Sequence, residues 1–261
     1  MRRWVRALGT ACRLTLTGVG RDRLALCMVV LFIPAWIWAV RWVVREAEVR
    51  FRLYGLHGPA DGVASGDFTA NGNHIGQIVG ALNAVTLITG FIMLMVTFAT
   101  TELDRRLILC GFPRTALMLA KTTVLLLVAA VVAGYAAWLL CGSWAVRQEG
   151  LLTVAVFMAA LVYGGAGIML GSVLRRELEG VLVVIMMSLV DLGLQNPIMA
   201  REVDGIPLLP LFGPMQAAFA AAFTDEVPWR PVTHGILWLL ATTSLGLGVV
   251  YARTRGYPRP K

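Results

Sequence analysis

Long apolar runs, separated by short polar segments, dominate the pattern of this chain. About 20 apolar residues at 1.5 Å each are enough for a helix to cross the hydrocarbon layer of a membrane. Six apolar runs can be read, the fifth of them short, and they cover residues 24–44, 76–99, 122–144, 151–174, 181–194 and 232–252. The pattern therefore predicts an all-α membrane protein with six transmembrane helices. Because the polar segments leave little room for a soluble domain, residues 1–261 are predicted to form a single transmembrane domain, with residues 24–252 as its bundle.

The segment before the first run, residues 1–23, has the pattern of an amphipathic helix. One face carries Trp4, Val5, Leu8, Cys12 and Leu16, and the other carries Arg2, Arg6, Thr10, Arg13 and Thr17. A helix with one apolar and one basic face lies in the headgroup layer of a membrane rather than across it. We therefore expect an interfacial helix at the inner membrane surface.

Two longer polar segments separate the predicted spans. Residues 45–74 are rich in Gly, Asn, Asp and Pro, a composition that predicts loops and turns. Residues 195–231 are half apolar and are broken by Pro207, Pro210 and Pro214. Within them, residues 215–223 are expected to form a short re-entrant-like helix before the sixth span, which dips into the outer leaflet without crossing.

Composition and charge place the chain in a membrane and orient it there. Of its residues, 58% are hydrophobic and 15% are charged, with a mean hydropathy of +0.74, whereas soluble domains have about 25% charged residues. The segments on one side of the six spans hold sixteen Lys and Arg, against seven on the other side. Because Lys and Arg stay in the cytoplasm, both termini, the tail 253–261 and residues 101–121 are predicted to be cytoplasmic. The net charge of +8 then reflects anchoring, not a nucleic acid partner.

Residues for catalysis or cofactor binding do not form a recognisable pattern. The four cysteines and three histidines are scattered without metal-ligand spacing. The sequence LAKTT at 119–123 lacks the glycines of a phosphate-binding loop. Glu177 and Glu179 are two positions apart, so on a helix they point in different directions. We therefore expect no catalytic residue, no metal and no cofactor in this chain.

The segment TELDRRLILCGFPRTALMLAK, residues 101–121, forms what we name the elbow between the second and third spans. On a helix, one face of the elbow holds Leu103, Leu107 and Cys110, and the opposite face holds Glu102, Arg105, Arg106 and Leu109. Gly111 and Pro113 end this helix, because glycine favours the C-terminal cap and proline cannot continue a helix. Lys121, in the helix that follows, is expected to extend to the headgroups. The pattern alone leaves both a plain connecting loop and a docking surface open.

Polar and small residues inside the apolar runs are further candidates for function. Asn83, Thr86 and Thr89 lie near one another on the second span, and Asp191 closes the fifth span near the outer face. They are candidates for a substrate path, because an acid inside a membrane is costly. Hydrogen bonds between helices are the alternative for the first three, and contact with water is the alternative for Asp191. The small residues Gly164, Gly167 and Gly171 allow close helix packing, within one subunit or between two.

Two groups of residues carry a resemblance to a known family. In the elbow they are Glu102, Arg105, Arg106, Leu107, Leu109, Gly111, Pro113, Arg114 and Lys121. Before and within the first span they are Arg21, Asp22, Arg23 and Pro34. In these residues, and in its six-span layout, the chain resembles the ABC-2 type transporter permeases, the membrane subunits of bacterial ABC exporters.

The resemblance implies a multi-pass subunit of the bacterial inner membrane that depends on a partner for energy. Such permeases form homo- or heterodimers with a second permease subunit and dock two copies of an ATPase subunit, which holds the ATP and Mg²⁺. The elbow would act as the cytoplasmic coupling helix, with ATPase contacts at Glu102, Arg105, Arg106, Leu109, Phe112 and Arg114. Closure of the ATPases would reorient the spans and export a drug, peptide or natural-product-like amphiphile, with polysaccharide or lipid export as the alternative.

An ion-gradient-driven secondary transporter is the interpretation from another class. It predicts ionisable residues near mid-membrane and internal repeats. Asp191 is the clear acid inside a predicted span and lies off centre. A membrane-embedded enzyme would need a paired catalytic set, for which the sequence offers no candidate.

Overall fold

The computed structural model describes residues 2–21, 27–44, 46–57, 63–174, 176–198 and 206–255. Its helices are α1 (Arg2–Arg21), α2 (Ile33–Val43, continuing a π-helical turn at Met28–Phe32), α3 (Gly72–Leu109), α4 (Arg114–Ser143), α5 (Glu149–Val173), α6 (Glu177–Gln195), α7 (Phe212–Phe223) and α8 (Trp229–Arg255). Strands β1 (Glu48–His57) and β2 (Val63–Asn71) form an antiparallel hairpin, and a 3-10 turn spans Ile206–Leu208. Of the predicted cytoplasmic tail, residues 256–261 lie outside the described ranges.

Four of the described helices are long and apolar enough to cross a membrane: α3, α4, α5 and the part Trp229–Ala252 of α8. They correspond to the second, third, fourth and sixth predicted spans, so the chain is a mostly helical membrane protein. The first and fifth predicted spans correspond to a shorter apolar stretch, Met28–Val43, and to the 19-residue helix α6. Six crossings therefore stay a prediction.

The hairpin lies in the polar segment for which the sequence predicts loops and turns. Its strands pair from Glu48 with Asn71 to His57 with Val63, with a shift of register between Leu53 and Leu56. The stretch VRFRLY alternates apolar and basic residues, and successive side chains of a strand point to opposite faces. The alternation is short and lies among many turn-forming residues, so the composition of the whole segment predicts loops instead of strands. The all-α prediction therefore holds only for the membrane part.

Helix α5 lies at the centre of the bundle. It packs against α3, α4, α6, α7 and α8, and small residues such as Ala159 and Ala160 are fully buried along it. By contrast, α6 and α8 expose apolar side chains, among them Leu182 and Leu237. Such faces are typical of helices that contact lipid or another subunit.

The bundle has an elbow end and a hairpin end, and α7 lies at the hairpin end. With 12 residues, α7 is about 18 Å long, too short to cross a hydrocarbon core of about 30 Å. It packs against α5, α8 and β1, and the rings of Phe219 and Phe51 have centroids 5.6 Å apart. The helix predicted for residues 215–223 thus begins at Phe212, and its dipping into a leaflet stays a prediction.

Helix α1 packs against α4 and α3 at the elbow end. Ala11 and Thr15 are buried and Cys12 is half-buried, whereas Leu16, predicted for the apolar face, is 37% exposed. The small side chains of α1 allow its close approach to the two helices, and an apolar face that lies in the headgroup layer stays a prediction. The side chains of residues 2–8 lie outside the described part of the chain.

Candidate functional site

The elbow turns through a tight glycine cap between α3 and α4. The N–H of Gly111 donates to the carbonyl oxygen of Ile108 at 3.0 Å, and the N–H of Phe112 donates to the carbonyl oxygen of Leu107 at 3.0 Å. This pair of bonds is a Schellman cap, and Gly111 has the left-handed φ of +84° that it requires. Pro113 then precedes the first residue of α4, so the helix ends where Gly111 and Pro113 predict.

The coupling helix predicted between the second and third spans is not a separate element. Helix α3 is a single helix of 38 residues, about 57 Å long, whereas a hydrocarbon core is about 30 Å thick. Its sequence has no Gly or Pro between Gly90 and Gly111, so nothing interrupts the helical hydrogen bonds. Helix α3 is therefore longer than one membrane crossing requires, and its last turns hold the charged residues of the elbow.

The elbow exposes charged side chains on one side and covers an apolar patch on the other. The exposed side chains are those of Glu102, Arg105, Arg106 and Leu109. The half-buried ones are those of Phe112 and Arg114. On the covered side, Ile108 packs with Leu117 of α4 and Ala11 of α1. Ile108 is buried in place of Leu103 and Cys110, which are exposed, because α1 covers only one side of the elbow.

A buried ion pair ties α3 to α4 inside the elbow. Lys121 Nζ lies 2.7 Å from Asp104 Oδ2, and the two side chains are 4% and 14% exposed. The prediction that Lys121 extends to the headgroups is wrong, because Asp104 faces it and Leu14 and Thr15 of α1 line the same small cavity. Asp104 lies seven residues before Gly111 and Lys121 ten residues after it. On two antiparallel helices joined at Gly111, these spacings bring the two residues to similar heights, and this is the signal that could have found Asp104.

Two of the polar candidates on α3 bond to α6. The hydroxyls of Thr86 and Ser188 lie 2.9 Å apart, and the Ser188 hydroxyl donates to Asn83 Oδ1 at 3.2 Å. Thr89 bonds within its own helix, where its hydroxyl donates to the carbonyl oxygen of Val85 at 2.6 Å. All three candidates are buried. The sequence prediction omits Ser188, although this residue falls on the buried helical stripe of α6.

Asp191 is buried inside the bundle, with 1% of its surface exposed. Its carboxylate accepts a hydrogen bond from the Tyr163 hydroxyl at 2.6 Å, one from the Leu211 N–H at 3.0 Å and one from the Gln195 amide. Leu211 is the N-cap position of α7, where a negative charge is favourable. Asp191 thereby joins α5, α6 and α7 at the hairpin end, rather than facing water.

Replacing Asp191 by Asn is expected to lower the thermal unfolding midpoint. The change keeps the shape of the side chain but removes the charge that three donors share. Since a hydrogen bond to a charged group contributes about 1.5–3 kcal/mol, we expect Asp191→Asn to cost about 2 kcal/mol, measured on the purified protein in detergent. Asp67→Asn is the matched control, because the Asp67 side chain is 79% exposed. Equal midpoints for the two variants would refute a stabilising role for the Asp191 charge.

The small-residue series of α5 makes its contacts within the chain. A Cβ on Gly167 would overlap the carbonyl oxygen of Gly90 on α3, and one on Gly171 would lie 3.0 Å from the carbonyl oxygen of Leu94. A Cβ on Gly164 would overlap a leucine of α4. Because only glycine allows helix backbones to approach this closely, the three glycines position α5 against its neighbours in the same subunit.

Comparison with known proteins gives a family match that includes the elbow. The sequence profile of the family described as ABC-2 family transporter protein matches residues 43–252, most of the chain. No curated protein matches the chain. The residues Arg21, Asp22, Arg23 and Pro34 precede the matched region, and Asp22 and Arg23 also lie outside the described residues. Among the described residues, no group of three or more His, Cys, Asp or Glu side chains could hold a metal ion.

Proposed function

Because this chain belongs to the ABC-2 family of transporter proteins, we propose that it is the permease subunit of an ATP-driven exporter. The family implies a transport role in the membrane and association with an ABC ATPase partner. On this proposal the partner holds the ATP and Mg²⁺, and the chain itself carries no catalytic residue. The cargo we propose is a drug, peptide or natural-product-like amphiphile.

The observation that carries this proposal is the exposed, charged end of α3. Helix α3 is longer than the hydrocarbon layer is thick, and its last two turns present at the surface Glu102, Arg105, Arg106 and Leu109. An exposed leucine among charges suits a protein contact, because the leucine can fill a pocket while the charges fix the orientation of the partner. We propose that this surface, with Phe112 and Arg114 at its edge, docks the ATPase.

A force applied at the elbow would reach the bundle because the elbow is fixed at three points. The cap at Gly111 sets the angle between the helices, the pair Asp104–Lys121 holds α3 to α4, and α1 packs along both. Helix α3 continues without a break to the hairpin end, so a displacement of the elbow moves it as a rigid body. Closure of the ATPases would thereby favour one of two arrangements of the packed helices.

The proposed assembly has two permease chains and two ATPase copies. Helices α6 and α8 expose apolar side chains, including Leu182, Leu189, Leu237 and Leu240. One of these faces would meet the second permease, identical or related, and the other would meet lipid. With six crossings and the charge asymmetry of its segments, the chain would lie in the inner membrane of a bacterial cell with both termini in the cytoplasm and α1 at the inner surface.

The substrate path we propose lies between α3 and α6. Asn83 and Thr86 bond to Ser188 across this contact, Thr89 lies one turn further along α3, and Asp191 closes the contact at the hairpin end. Movement of α6 away from α3 would break the hydrogen bonds to Ser188. The polar groups of Asn83 and Thr86 would then face the space that opens between the two helices. An amphiphile would then find polar groups along the path in one arrangement of the helices and a closed contact in the other.

Co-purification with an ABC ATPase, sought first in the neighbouring reading frames, tests the docking surface. Changing Arg105→Glu, Arg106→Glu and Leu109→Ala together is expected to reduce the recovered ATPase at least about tenfold, because a central interface residue contributes about 2 kcal/mol or more. The matched control is Arg176→Glu with Leu178→Ala, since both side chains are exposed at the same end of the bundle. Undiminished ATPase recovery with the triple variant would rule out the elbow as the docking surface.

An ion-gradient-driven transporter is the second candidate, and one observation favours it. Asp191 is a buried acid in contact with the Tyr163 hydroxyl, and buried acids form ion or proton sites in secondary transporters. In that case a proton gradient would drive transport without ATP, and Asp191→Asn would abolish it. In the exporter, transport requires the ATPase and ATP.

A further inference from the structure

A groove opens between α2 and α4 at the hairpin end of the bundle. It has a volume of about 930 Å³, and the residues that line it include Trp38, Arg41, Trp42, Trp138 and Leu139. None of these residues belongs to the elbow or to the buried polar contacts of Asn83 and Asp191. Three indoles and one guanidinium around a space of this size have no role in the transport mechanism proposed above.

The groove exists because side chains do not fill the space between the two helices at this end. Closer to the elbow end, the Tyr135 hydroxyl donates to the carbonyl oxygen of Val30 at 3.5 Å and holds the start of this helical segment near α4. Further toward the hairpin end, Trp38 and Trp138 are 59% and 69% exposed. Gly142 adds no side chain, and a Cβ there would meet nothing within 4 Å.

Arg41 gives the groove its charge. It lies in the last turn of α2, three residues after Trp38 and one before Trp42, and none of the described residues that line the groove is acidic. Tryptophans concentrate at the headgroup level of a membrane. A guanidinium at that level binds a phosphate group through paired, charge-assisted hydrogen bonds.

We propose that this groove binds an anionic phospholipid of the surrounding bilayer. Its phosphate would lie on Arg41, and its acyl chains would lie along Trp38, Trp138 and Leu139. A lipid fits this lining better than a soluble anion does, because the walls are mostly aromatic and apolar and the indoles of Trp38 and Trp138 are exposed. The bound lipid would fill the space between α2 and α4. This proposal goes beyond export and does not depend on it.

Quenching of tryptophan fluorescence by brominated phospholipids tests the proposal on the full chain in detergent. Dibrominated phosphatidylglycerol is compared with dibrominated phosphatidylcholine of the same acyl chains. We expect the anionic lipid to quench at about tenfold lower concentration, because one charge-assisted hydrogen bond raises the affinity by about this factor. Arg41→Gln should remove this preference, and Arg41→Lys should retain part of it, because lysine keeps the charge but cannot make the paired hydrogen bonds. Arg50→Gln, at an exposed arginine of β1 at the same end, is the matched control and should keep it.

Filling the groove is a second test, which leaves Arg41 in place. Gly142→Leu adds a side chain to open space, so it should fold and should weaken quenching by the anionic lipid. Equal quenching by the two lipids with the unaltered protein would overturn the proposal, as would an unchanged preference in both Arg41→Gln and Gly142→Leu. An equal loss in Arg50→Gln and Arg41→Gln would overturn it too, because it would indicate a general attraction of basic residues for anionic lipid.

Discussion

Gly167→Ala is expected to destabilise the protein by about 2–3 kcal/mol. The added Cβ would overlap the carbonyl oxygen of Gly90 and lie 3.1 Å from the backbone nitrogen of Leu94. Backbone atoms in a close-packed interior cannot move aside as the end of a flexible side chain can, so α5 must shift away from α3. The thermal unfolding midpoint of the purified protein in detergent should fall by about 2–4 °C for each kcal/mol.

The matched control for this substitution is Gly134→Ala on α4. A Cβ at Gly134 would meet nothing within 4 Å, and alanine is favoured over glycine in a helix by up to about 1 kcal/mol. We therefore expect effects of opposite sign, with Gly134→Ala raising the midpoint or leaving it unchanged. If Gly167→Ala behaves like Gly134→Ala, then α3 and α5 do not approach as closely as described.

Lys121→Met is expected to cost about 3–5 kcal/mol, because it leaves the charge of Asp104 buried without its cation. Both side chains of the pair are almost fully enclosed between α1, α3 and α4. The expected result is a lower unfolding midpoint. On the proposed function, ATP-dependent transport should be lost as well, because the elbow is no longer held to α4.

The double variant Asp104→Leu/Lys121→Met separates the energy of the pair from the loss of either residue. Replacing a buried ion pair by apolar residues is often close to neutral, so the double variant should regain most of the stability that Lys121→Met loses. In a double-mutant cycle this recovery appears as a coupling energy of about 2 kcal/mol or more. If the double variant loses as much stability as the two single variants together, the two charges do not interact.

The backbone of the elbow could be predicted from the sequence because local chemistry sets it. Gly111 and Pro113 end one helix and allow the next to start, whatever packs around them. The long spans α3, α4, α5 and α8 likewise follow from composition over consecutive residues. Each of these features depends only on neighbours along the chain.

The contacts of the elbow could not be predicted, because they depend on residues far away in the sequence. Helix α1 covers one side of the elbow and so decides that Ile108 is buried while Leu103 is exposed. The same cover encloses Lys121 with Asp104 instead of leaving the lysine at the headgroups. The periodicity of one helix indicates an apolar side but does not say which neighbour will pack there.

The candidate residues inside the bundle were predictable in part. Asn83 and Thr86 indicate that partners exist, but Ser188 lies more than 100 residues further along the chain, and nothing local connects the two segments. Gly76 and Gly80 are a different case, because a Cβ on either would lie 2.7 Å from a side chain of α2. Their four-residue spacing is the signal of close packing, and the sequence prediction omits it.

Transport by the reconstituted chain, with and without its partner, tests most directly whether this permease is a passive path moved by an ATP-consuming ATPase. The full chain is placed in vesicles with a fluorescent amphiphile as cargo, first alone, then with the ABC ATPase, and then with the ATPase, ATP and Mg²⁺. We predict transport only in the third condition, and its loss when Arg105→Glu, Arg106→Glu and Leu109→Ala are combined. Transport at the full rate by the chain alone, without nucleotide or under a proton gradient, would contradict the proposed function.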